Sequence, residues 1–85
     1  MEIIDKNAYM LRVVEEFKQD AAAAANEFEL KRKLWHASVV ACEVDPTGYR
    51  DWHLTLAGIA LEHGVKSTSA VTTVKSARRK AGVAL

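Results

Sequence analysis

The first half of this 85-residue chain carries apolar residues at alternating four- and three-residue steps. Met10, Val14, Phe17, Ala21, Ala24 and Phe28 follow the rhythm by which helices pack along their length. Extended both ways, the register takes in Ile3, Asn7, Lys31, Trp35, Ser38 and Cys42, so nine of twelve positions are apolar. A chain that is 49% hydrophobic would place about six there by chance. No glycine or proline occurs between Ile3 and Asp45, so the seam reads as helical. It is also long for a chain of this size to cover by itself. Self-association through Met10, Val14, Phe17, Ala21, Ala24 and Phe28 is therefore the expectation.

Beyond Phe28 the apolar set moves onto Leu30, Leu34, Ala37 and Ala41, again stepping by four and three. Such a shift of phase means a stutter in one helix or two helices joined near Asn26. Asn26 with Glu29 has the spacing of a capping box, and an unbroken helix from Lys6 to Val44 would measure about 58 Å. Both favour two helices. The first would be capped by Asp5 and end at about Asp20 or Asn26. The run Ala21 to Ala25 either sustains that helix by propensity or lets a neighbouring backbone come close.

Asp45-Pro46-Thr47-Gly48 ends the preceding helix, with Asp45 or Thr47 able to cap the next. A further helix is expected from about Tyr49 to His63, with Trp52, Leu56, Ile59 and Ala60 on one face and Gly64 behind it. Ser67 or Thr68 can cap a last helix carrying Ala70, Val71, Val74 and Ala77, which Gly82 closes. No strand pattern competes. The fold class is all-α, with three or four helices in a single domain over 1–85. Within it, 1–44 forms the helical self-association region and 49–82 a helical corner.

One cysteine cannot form an internal disulfide, and the longest apolar run is far short of a membrane span. Asp5 and Lys6 interrupt any signal-like opening, so a cytoplasmic protein with no membrane partner is expected. The net charge of +1 hides a dipolar layout. Met1 to Leu30 holds seven acids and three bases, whereas Gly64 to Leu85 holds Lys66, Lys75, Arg78, Arg79 and Lys80 with no acid. An acidic start and a basic end suit head-to-tail pairing, an acidic partner or nucleic acid.

Little of this points to catalysis. His36, His53, His63 and Cys42 are spaced by 6, 11 and 10 residues, which fits no metal-ligand pattern. Surface histidines and a thiol packed on the seam are the expectation. No glycine-rich phosphate loop is present, and nothing orients a Cys–His pair or stabilises an oxyanion. No enzyme, metal or cofactor is expected. Trp35 and Trp52 sit at apolar helical positions and are expected in the core, although tryptophan also dominates binding surfaces.

The segment Leu56 to Ala81, LAGIALEHGVKSTSAVTTVKSARRKA, resembles the helix-turn-helix of transcriptional regulators. Ala60 stands where two helices touch, Gly64 at the turn, Val65 just after it, and Val71 with Val74 on the second helix's apolar face. Ala70 to Lys80 also resembles the second helix of sigma-factor-type modules. Val71 lies seven residues after Gly64, where the common pattern has six. As a whole the chain is similar to small phage-type transcriptional regulators, and in layout to the antirepressors, which bind and disable a DNA-bound repressor. That resemblance implies regulation through a protein partner, a transcriptional repressor. Because aromatic and arginine residues dominate interface energetics and the C-terminal segment lacks acids, the partner surface is expected at Trp52, His53 and Leu56 on one side of the corner and Lys75, Arg78, Arg79 and Lys80 on the other. The alternative is direct DNA binding. Against it, the first turn of the last helix offers only the short Ser67, Thr68, Ser69, Thr72 and Thr73, while its long basic residues lie at the far end.

Overall fold

The computed structural model describes residues 5–83 and contains four helices. They are α1 (Lys6–Ala23), α2 (Glu27–Val44), α3 (Tyr49–Glu62) and α4 (Ser67–Ala81), with no strand among the described residues. Asp5 caps α1 by accepting the Ala8 N–H at 3.0 Å. The alanine run does not carry the helix onward. Ala24 turns extended (φ −63°, ψ 132°), and Asn26 starts α2 by accepting the Glu29 N–H at 2.8 Å. Glu29 returns a bond to the N–H of Ala25 at 3.2 Å, one residue further back than a capping box requires.

That break decides where the seam goes. Doubling back near Ala24 lays α1 against α2, and α2 in turn packs on all three other helices. Met10, Val14, Phe17 and Ala21 are 0–6% exposed, buried against Leu30, Leu34, Ala37, Ala41, Leu56 and Ile59. Ala24 is half-buried against the same core, whereas Phe28 is 75% exposed. The six residues expected to face a second copy are thus divided. Four are core and one edges it, because the hairpin supplies from within the chain the apolar cover that the seam requires. The described residues extend 34 × 25 × 18 Å, well below the length of an unbroken helix.

The α2–α3 connection is organised by one carboxylate. Asp45 Oδ1 accepts the Gly48 N–H at 2.9 Å and the Thr47 hydroxyl at 3.5 Å, and Oδ2 accepts the Trp52 indole N–H at 3.2 Å. Lys6, itself half-exposed, lies 3.9 Å away, a long pairing of little weight. A Cβ at Gly48, the N-cap of α3, would sit 2.5 Å from Asp45 Oδ2, so a side chain there would displace the carboxylate that organises the turn. Asp45→Ala removes the acceptor of the indole N–H and leaves the Gly48 N–H only its bond to the Asp45 carbonyl at 3.2 Å, so a loss of about 2 kcal/mol is expected. It would appear in a thermal melt as a midpoint lower by about 10 °C.

Gly64 (φ 96°) and Gly82 (φ 76°) occupy the left-handed conformation expected at helix ends. The start of α4 differs from expectation. Its N-cap is Lys66, with no side-chain bond, and Ser67 and Thr68 lie inside the helix. No helix among the described residues is long and apolar enough to cross a membrane.

Candidate functional site: the groove between α3 and α4

The turn between α3 and α4 is tied by the Val65 N–H to the Ala60 carbonyl at 3.1 Å. Ala60 (0% exposed) lets the helices approach, and Val65 (3%) plugs the corner from inside. On α4 the inward stripe is Ala70, Val74 and Ala77. Val71, expected on that face, is 49% exposed, because the stripe begins one residue earlier at the smaller Ala70. Ala70 stands six residues after Gly64.

Outward of this packing lies a cleft of about 170 Å³, walled by Leu54 and Ala57 from α3 and Val71 and Val74 from α4. Lys75 and Arg78 stand at its rim. Leu54 is 73% exposed, and Leu61, seven residues further along the same face of α3, is 44% exposed. Gly58 lies between them, and a Cβ there would meet nothing within 4 Å. Packing within the chain therefore does not require a glycine at that mid-helix position.

Beneath the groove sits a buried polar cluster. His53 (1% exposed) places Nε2 2.8 Å from the Ser38 carbonyl oxygen, and its Nδ1 accepts the Arg78 Nε–H at 3.1 Å. The two contacts together assign the proton to Nε2, since Nδ1 must present a lone pair to the guanidinium. Cys42 Sγ lies 3.5 Å from that same Nε2. The Tyr49 ring is 5.3 Å from the imidazole, and the Arg78 guanidinium stacks 5.5 Å from the Tyr49 centroid. Burial pushes the His53 pKa down, aided by the charges of Arg78 and Arg50, while the Ser38 carbonyl opposes the shift. Burial likewise pushes the Cys42 thiol up, with Glu43 adding to it and Arg78 opposing. Both partners are held neutral, and the ring nitrogen facing the thiol carries a proton. The cluster's evident role is to fix Arg78 at the groove rim. Ser38 Oγ, buried beside it, has no hydrogen-bond partner among the described residues.

Of the residues expected to contact a partner, Lys75, Arg79 and Lys80 are exposed and Arg78 is half-buried. His53 and Leu56 are buried, and Trp52 is half-buried with its N–H committed to Asp45. The structure corrects the expectation of a surface position for His53 and Leu56, which share one buried stripe of α3 with Ala60. The exposed large apolar groups of α3 and α4 are instead Leu54, Leu61 and Val71. Their signal in the sequence was a second apolar stripe, Leu54–Ala57–Leu61, out of phase with the core face of α3. His36 and His63 are exposed, as a surface reading has it, while His53 is not. Among the described residues, no three metal-ligating side chains come together. Trp35 is half-buried and donates its indole N–H to Ser76 Oγ at 3.2 Å.

No family model, curated protein or solved structure matches this chain.

Proposed function

We propose that this chain is a small regulatory protein that acts by binding another protein in the α3–α4 groove. The carrying observation is the exposure of Leu54 and Val71 at an apolar cleft bordered by Lys75 and Arg78, with the exposed Leu61 further along the same face of α3. Apolar side chains left exposed in a cluster mark interaction surfaces, and an anchored arginine at the edge favours an acidic partner. Support for a role in transcription comes from the corner itself. We read Ala60, Gly64, Val65, Ala70 and Val74 as the packing positions of a helix-turn-helix, with Ala70, rather than Val71, at the common six-residue spacing from Gly64. An antirepressor-like modulator that occupies a transcriptional repressor fits this layout by analogy.

The second reading is direct binding to duplex DNA through α4, favoured by its freedom from acidic residues. Two features weigh against it. Arg78 is engaged by His53, and the exposed first turn carries only short side chains.

Capture from the native host, followed by reconstitution with the purified partner, separates the two. Leu54→Asp with Val71→Asp should abolish capture while helicity is kept, since both side chains are largely exposed. Phe28→Asp should capture as wild type does. Undiminished capture by the double variant refutes the groove as the partner site. Tight, sequence-selective binding of the purified chain to duplex DNA promotes the second reading.

A further inference from the structure

The opposite edge of α4 borders a second groove, shared with α2. It encloses about 380 Å³ between Phe28, Lys31, Arg32 and Trp35 on one wall and Thr72 and Ser76 on the other. A neighbouring recess of about 240 Å³, lined in part by Lys31, Thr68 and Thr72, continues it along α4. None of the residues lining either space is acidic. Arg79 follows Thr72 by seven residues and Lys80 follows Ser76 by four, so both stand on this same edge of α4. The cationic wall is thereby prolonged by about 6 Å beyond Ser76. Lys31, Arg32, Arg79 and Lys80 are in no ion pair among the described residues.

The aromatic groups make this more than a charged edge. Phe28 is 75% exposed and belongs to neither core cluster, although a ring of that size gains from being covered. Trp35 is pinned by its bond to Ser76, which holds the indole at the groove wall. Thr72 and Thr73 spend their hydroxyl protons on the carbonyls of Thr68 and Ser69, at 2.9 and 2.8 Å, which fixes the polar wall between the cations.

We propose that the α2–α4 groove binds single-stranded nucleic acid, with Phe28 and Trp35 stacking on bases and Lys31, Arg32, Arg79 and Lys80 meeting phosphates. A cationic track with aromatic platforms is the chemistry by which unpaired strands are held without regard to sequence. A duplex covers its base faces and would leave both rings unused. This surface is separate from the α3–α4 groove, so either proposal can fail without the other.

Fluorescence anisotropy of a labelled twelve-nucleotide oligothymidylate, titrated with the full chain at low salt, tests it. Saturable binding is expected, weakening with salt with a log–log slope of about −3 for four phosphate contacts. Phe28→Ala should weaken binding about tenfold at unchanged helicity, consistent with the loss of one stacked base. Lys31→Glu with Arg32→Glu should remove it, and Leu54→Asp with Val71→Asp should leave it intact. The proposal is overturned by an absence of saturable binding at low salt, or by displacement of the oligonucleotide by polyglutamate at equal charge concentration. Duplex binding of equal strength that ignores Phe28→Ala would overturn it too.

Discussion

Phe17→Asp should unfold this protein, and Phe28→Asp should leave it folded, although both residues lie on the same heptad-like seam. Phe17 is 2% exposed in the core cluster that joins all four helices. Removing a buried phenylalanine costs about 3–5 kcal/mol, and a carboxylate there adds the cost of burying a charge without a partner. A small domain holds only about 5–15 kcal/mol in total, so little folded protein should remain. Phe28 lies on solvent-exposed surface just inside the start of α2, where an acid is compatible with the helix dipole. Far-ultraviolet circular dichroism with thermal melting distinguishes them. A cooperative melt for Phe17→Asp near the wild-type midpoint would show that the seam is not the core.

His53→Ala should cost about 3 kcal/mol, through a cavity between α2, α3 and α4 and the loss of the bonds to the Ser38 carbonyl and Arg78. It should also change the response to acid. Burial, Arg78 and Arg50 hold the folded His53 below its ordinary value of 6.5. As pH falls, the unfolded chain therefore takes up this proton first. The stability contribution is complete above about pH 6.5 and declines below it, until the pH reaches the depressed folded value. Protonation would place a charge on Nδ1 against the Arg78 guanidinium. Urea denaturation at pH 7.5 and pH 5.5 should show a clear loss for the wild type and a smaller one for His53→Ala. Equal losses would remove His53 from the account.

Helix boundaries were largely legible in the sequence because local chemistry sets them. Asp5, Asn26 with Glu29, Asp45-Pro46 and the glycines at 64 and 82 each act within a turn of their own position. What covers the seam was not legible. Periodicity says that a stripe is buried, and it is silent on whether α2 or a second copy buries it. A break of three residues at 24–26 chose the first answer for Met10, Val14, Phe17 and Ala21. At the site, the turn between α3 and α4 was legible, and the burial of His53 and Leu56 was not expected. His53 shares the i, i+3, i+7 stripe of Leu56 and Ala60, so its burial could have been read from spacing. Its polar type argued otherwise, and only the Ser38 carbonyl and Arg78 make its burial affordable. On α4, neighbouring Ala70 and Val71 differ in hydrophobic weight, and packing space preferred the smaller one.

The most direct test of the α3–α4 groove as the working surface is site-specific photo-crosslinking in the native host. A benzophenone amino acid would replace Leu54, with a second variant carrying it at Leu11, exposed on α1. Irradiation should yield one discrete adduct from position 54 with a different polypeptide, and no such adduct from position 11. An adduct of position 54 with only a second copy of this chain, or a partner adduct from position 11 alone, would contradict the account.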